Sequence, residues 1–116
     1  MTAQEYYNFF ASRPADKWTT GSMGTADDKH CAVGWVRKDL KLYSFEAGLK
    51  ELFFKYKYIT PEQINDGFPD TEIFGDSPRE RILTVLSQII LFEQSNKEFD
   101  GSDRSEVAPE LATVAA

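Results

Sequence analysis

The chain has 116 residues, 41% of them hydrophobic and 14% aromatic. That is enough for one domain burying roughly 65% of its unfolded surface, and too apolar for global disorder. The net charge of −6 lacks the basic footprint that direct nucleic-acid binding requires.

The acidity is uneven. From Glu98 onward, five acids face one base, a net of −4, which leaves −2 for the first 97 residues. The single Cys cannot form an intramolecular disulfide and fits a reducing compartment. The first residues carry neither a basic n-region nor a long apolar run, so no signal peptide is expected. The longest apolar run, Ile89 to Phe92, is far too short to span a bilayer. A cytoplasmic protein without membrane association is expected.

Thr2-Ala3-Gln4-Glu5 has the form of a capping box. Tyr6, Phe9 and Phe10 follow at i, i+3, i+4 on one helix face, and Pro14 limits the helix. Ala15 to Trp18 reads as one helical turn, and Thr19 to Thr25 as a glycine-containing loop. Asp27 or Asp28 is expected to cap a second helix, with Cys31, Ala32, Trp35 and Val36 on one face. Gly34 is a poor helix former, and its presence predicts close approach of another backbone. Asp39 to Tyr43 reads as a connector or short strand.

Ser44 is expected to cap a third helix, on which Phe45, Leu49, Leu52, Phe53 and Tyr56 form the clearest apolar period. Thr60-Pro61-Glu62-Gln63 opens a short fourth helix through Ile64. Asn65-Asp66-Gly67 closes it, with Gly67 suited to a left-handed C-cap. Phe68 to Asp76 reads as a loop. Ser77-Pro78-Arg79-Glu80 opens a last helix running to about Asn96. Ile82, Val85, Leu86, Ile89 and Phe92 line its face, widened by Ile90 and Leu91. The expected fold is all-α: one helical domain over residues 1–97, four to five helices, with the third and fifth helices forming the core. An acidic, disordered tail is expected over 98–116, and deletion of 100–116 is expected to leave the melting temperature nearly unchanged.

The chemistry-bearing residues are few. His30 and Cys31 are neighbours, and on a helix adjacent side chains diverge by about 100°, so His30 is badly placed to activate the thiol. Cys31 reads as buried packing. One His and one Cys leave two zinc ligands to be found among carboxylates, so no metal site is expected. Asp66, Asp70, Glu72 and Asp76 do not match a calcium loop. Arg79 and Arg81 oppose the dipole of the last helix. They read either as ion pairs to that acidic loop or as an anion site with the first-turn amides. Trp18 offers a wall for such a site or a core side chain. If a site exists, it is expected where His30, Asn65, Asp66, Arg79, Arg81 and Trp18 converge, with no catalytic residue and no cofactor assigned.

Four landmarks stand in order: Lys17-Trp18-Thr19-Thr20-Gly21, His30-Cys31-Ala32-Val33-Gly34, Ile64-Asn65-Asp66-Gly67 and Pro78-Arg79-Glu80-Arg81-Ile82-Leu83. Over about residues 3 to 95 the chain resembles a group of small uncharacterised helical proteins of bacterial genomes and their phages and plasmids. The resemblance implies a small all-helical domain carried by a mobile element, and it brings no activity. The expectation for function is a non-catalytic interaction protein. It would bind and occlude a protein partner as a phage or mobile-element accessory or inhibitor factor. The alternative is a small ligand-binding or enzymatic domain with an anion pocket near His30, Asn65, Asp66 and Arg81. The oligomeric state stays open.

Overall fold

The computed structural model describes residues 1–68 and 70–101, with side chains through Ser95. Five helices follow in order: α1 (Ala3–Ala11), α2 (Ala32–Trp35), α3 (Tyr43–Lys57), α4 (Pro61–Asp66) and α5 (Pro78–Gly101). Single 3-10 turns lie at Ala15–Lys17 and Thr71–Phe74, and a π turn at Val36–Leu40. Among the described residues there is no strand, only one isolated bridge between Trp18 and His30. The all-α expectation is met. α5 runs past Asn96 to Gly101, so the helix takes the first residues assigned to the tail. The rest of the expected tail lies outside the described residues.

Three helix starts follow the sequence. Thr2 Oγ1 accepts from the Glu5 amide, and the Glu5 carboxylate accepts from the Thr2 amide. Thr60 and Gln63 make the same reciprocal pair, with Pro61 at the first helical position, so orphan first-turn donors are satisfied. At α5 the Glu80 amide donates to Ser77 Oγ (3.2 Å), but the Glu80 carboxylate reaches the Asp76 amide instead (2.9 Å).

Two expected caps are corrected. Asp27 and Asp28 do not open α2. The Thr25 hydroxyl donates to the Asp27 carboxylate, and the Asp28 amide donates to the Thr25 carbonyl. Asp28 itself takes a left-handed conformation (φ 64°). Short polar side chains that bond their own neighbours favour turns over helices, so α2 begins only at Ala32, with Cys31 as its N-cap. Ser44 is not the cap of α3 either. That helix starts at Tyr43 behind Leu42, which makes no side-chain cap bond. Of the expected connector Asp39 to Tyr43, Asp39 and Leu40 end the π turn, Lys41 closes it in a left-handed conformation, and Tyr43 already belongs to α3. α4 extends through Asp66, past Ile64, and Gly67 terminates it at φ 74°, as the C-cap expectation requires.

The core is built where periodic apolar faces meet. Tyr6 and Phe10 of α1, Trp35 of α2, Leu49 and Phe53 of α3, Ile64 of α4, and Ile82, Val85, Leu86 and Ile89 of α5 are buried together. Val36 of the π turn joins them. Burying each such side chain stabilises by roughly 1.5–3 kcal/mol. α5 is central, as expected, but its nearest backbone neighbours are α1 and α4 rather than α3. α3 reaches it through long side chains: Tyr56 bonds Glu93, and Lys57 bonds Gln88. Two residues assigned to the buried face are exposed, Leu91 and Phe92.

The α3 face differs in one respect. Glu46 is only 2% exposed, on the same face as Leu49 and Phe53. Arg37 grips both carboxylate oxygens (2.6 and 2.9 Å), and Lys50 lies 3.0 Å away. The Arg37 hydrogen bond, then that of Lys50, holds the carboxyl down at about 2. A buried carboxylate is tolerated when it is paired and hydrogen-bonded in this way.

Candidate functional site

Residues 17–34 form a polar clasp over the start of α2 and the end of α4. The His30 amide donates to the Lys17 carbonyl (2.9 Å), and the Thr19 amide to the His30 carbonyl (3.1 Å). His30 therefore lies in extended backbone, not at the helix start expected for it. Its Nδ1 donates to the Met23 carbonyl (2.7 Å), and its Nε2 lies 2.8 Å from the Asp28 carboxylate. The ring packs against Trp35, with centroids 4.7 Å apart. The His30 hydrogen bond and then that of Lys38 hold the Asp28 carboxyl below its usual range.

The fold of the 19–25 loop explains Gly34. A Cβ there would lie 1.9 Å from the Met23 carbonyl oxygen, so only glycine admits the loop. The close backbone approach read from the sequence is what the structure contains. The same contact carries the Met23 carbonyl to His30.

Asn65 pins the clasp to α4. It is fully buried. Its Oδ1 accepts from the Ala32 amide (3.0 Å), an α2 first-turn donor, and its Nδ2 donates to the Thr19 carbonyl (2.9 Å). Nδ2 also reaches Asp66 Oδ1, which in turn accepts from the Gly21 amide, each at 3.0 Å. Two adjacent side chains thus hold three segments together.

The arginines are used differently from either reading made of them. Arg81 is 7% exposed. Its Nε donates to the Ile64 carbonyl (2.9 Å), Nη2 to the Asn65 carbonyl (2.7 Å) and Nη1 to the Gly75 carbonyl (3.2 Å). A cation at the C-terminus of α4 satisfies orphan carbonyls and complements the helix dipole. Arg79 donates through Nη2 to the Ala11 carbonyl at the end of α1 (2.9 Å). Both arginines stand at the start of α5 and serve the ends of other helices, through carbonyls rather than carboxylates. Arg81 joins Asn65 through its carbonyl, while Arg79 is directed to α1. Trp18 is buried between Phe10 and Trp35 and touches the clasp through its backbone bridge to His30.

Where the clasp meets α4 there is a hollow of about 240 Å³ lined by Gly21, Ser22, Met23, Cys31, Glu62 and Asp66. Of the residues expected at a site, only Asp66 lines it. Glu62 escaped notice, although its i, i+4 spacing to Asp66 on α4 puts both carboxylates on one face. Cys31 accepts a hydrogen bond from the Gly34 amide at 3.4 Å, and burial pushes its thiol up. A thiol kept protonated is a poor nucleophile, and both ring nitrogens of His30 face oxygens rather than its sulfur. Cys31 packs, and caps α2.

Among the described residues no group of three or more His, Cys, Asp or Glu is placed to hold a metal ion. No described helix is long and apolar enough to cross a membrane. Comparison with protein-family models, curated proteins and solved structures returns no match.

Proposed function

We propose that the chain is a non-catalytic interaction protein that binds and occludes a protein partner. The observation that carries this reading is an exposed aromatic pair at the C-terminal end of α3, Phe54 on its last turn and Tyr58 as its left-handed C-cap. Phe54 and Tyr58 lie edge to face, centroids 5.9 Å apart, and are 60% and 80% exposed. Exposed aromatic side chains packed edge to face have the composition of binding hot spots. They contribute nothing to the core they sit outside. The polar residues of the clasp, by contrast, spend their hydrogen bonds on backbone groups of the chain itself.

The resemblance to small proteins of bacteria, phages and plasmids supports the finer proposal of an accessory or inhibitor factor of a mobile element, acting in the cytoplasm. The net charge of −6 favours a protein over a nucleic-acid partner. The alternative, an anion-binding domain, has less support. The Arg81 guanidinium is occupied by three carbonyls, and the hollow beside Asp66 is lined by a second carboxylate, Glu62.

The test is affinity capture from bacterial lysate with the intact chain and with the Phe54→Ser/Tyr58→Ser double variant. One stoichiometric partner is expected on the intact chain. The double variant should retain less than about a tenth of it, with an unchanged circular dichroism spectrum. Equal capture by both would remove the aromatic pair as the partner surface.

A further inference from the structure

His30 is the one histidine of the chain, and its side chain is only 13% exposed. Both ring nitrogens meet acceptors. Nδ1 lies 2.7 Å from the Met23 carbonyl oxygen, and Nε2 lies 2.8 Å from a carboxylate oxygen of Asp28. A carbonyl oxygen has no proton to give. Asp28 has none either, because hydrogen bonds from His30 and Lys38 favour its ionised form. A neutral imidazole carries one N–H and one lone pair, so it can satisfy only one of these neighbours. Only the imidazolium donates to both. The charged groups around the ring are Asp28 and, from the π turn, Lys38, whose ammonium lies 3.1 Å from the same carboxylate. Lys29 turns instead to Asp27, and Trp35 of α2 covers the ring with an uncharged face. Met23, the residue that Nδ1 holds, lies against Gly34 and forms one wall of the hollow beside Cys31. Its segment has two other ties, the Gly21 amide to Asp66 and the Arg37 guanidinium to the Met23 sulfur, and a thioether is a weak acceptor.

We infer that His30 is a proton-operated latch: the imidazolium holds the Met23 segment down, and loss of its proton releases that segment and opens the hollow beside Cys31. The proton that leaves is the one on Nδ1. A carboxylate is a stronger acceptor than a carbonyl, so the remaining N–H stays on Nε2, against Asp28. The Nδ1 lone pair then faces the Met23 carbonyl oxygen, and two acceptors in contact with no proton between them lose the bond that held them. The Asn65 bonds to Thr19 and Ala32 do not involve the ring, so the rest of the clasp keeps its place on α4. Imidazole changes charge between about pH 5 and about pH 8. The latch is therefore closed on the acid side of that interval and open on the alkaline side. It lies in the clasp and is independent of the aromatic pair at the end of α3.

The test is the rate at which a thiol reagent labels Cys31 in the full chain, wild type beside Asp28→Asn, from about pH 5 to about pH 8. Asparagine suits the left-handed backbone of residue 28 (φ 64°). Its amide can donate to Nε2 while a neutral Nδ1–H still donates to Met23, so the variant keeps both bonds without a charged ring. Both chains share the rise of thiolate with pH, so the ratio of their rates isolates the loop. That ratio, wild type over variant, should be near one at the acid end and rise at least about fivefold at the alkaline end. Over the same interval, ring-nitrogen NMR shifts of the single imidazole should pass from two protonated nitrogens to Nε2–H alone. A ratio that stays constant overturns the inference, and so does a neutral ring that keeps its proton on Nδ1. If circular dichroism shows that Asp28→Asn does not fold, His30→Gln, which has no titrating ring, takes its place as the reference, with the same rise expected.

Discussion

The α1–α5 core and the 17–34 clasp hold together by different means. In the core, stability is spread over many apolar side chains, and losing any one leaves a cavity costing about 2–5 kcal/mol. In the clasp, a few polar side chains each satisfy several backbone groups. Asn65 serves Ala32 and Thr19 and His30 serves Met23, while Arg81, outside the clasp, holds the end of α4 that carries Asn65 through the Ile64, Asn65 and Gly75 carbonyls. The comparison teaches that the core spreads its stability over many side chains, whereas the polar layer rests on a few residues whose loss orphans several buried groups at once.

The largest break should come at Arg81. Arg81→Met keeps the aliphatic bulk but strips three carbonyls of their donor. A loss of about 3–5 kcal/mol is expected, read as a fall in the denaturant midpoint at constant slope. A loss below that of an ordinary surface change would mean that water replaces the guanidinium without penalty.

A smaller and pH-dependent effect should come from Glu46, the one charged residue set into the core face of α3. Its carboxyl is depressed from 4.5 to about 2 by Arg37 and Lys50. The folded form therefore binds its proton less readily than the unfolded form. The stabilisation is complete above pH 4.5 and is lost as pH falls towards 2. Arg37 is half exposed, so solvent screens the pair and the expected loss is on the order of 1–2 kcal/mol. Glu46→Gln should flatten this limb of the pH–stability curve, and an unchanged slope would remove Glu46 as its source.

The same contrast decides what could be read from the sequence. Period and caps are local, so α1, α4 and α5 were legible from Thr2, Thr60, Ser77 and the apolar spacing, and Gly34 correctly announced a close backbone. The clasp depends on partners far along the chain. Asp27 and Asp28 look like helix caps until the turn at Thr25 claims them. Asn65 looks like part of a local C-cap until Ala32 and Thr19 arrive, from 33 and 46 residues away. Arg79 and Arg81 look like misplaced charges until the ends of α1 and α4 are seen beside them. Glu46 gave no signal at all, since nothing in its own helix identifies Arg37 as its partner. Phe92 fits the buried period of α5 but lies half exposed, edge to face with Tyr56 of α3, so periodicity alone overstated the core.

The central claim is that the clasp belongs to the same cooperative unit as the helical core because Asn65 ties it there. Both tryptophans of the chain, Trp18 and Trp35, are buried where clasp and core meet, so their fluorescence follows the clasp while far-ultraviolet circular dichroism follows the helices. The measurement is thermal unfolding of Asn65→Ala by both signals. The account predicts one transition seen identically by both, shifted down by roughly 10 °C for a loss of about 2 kcal/mol. A fluorescence change that runs ahead of an unshifted helical transition would contradict it, showing that the clasp is a separate layer laid over an independent helical core.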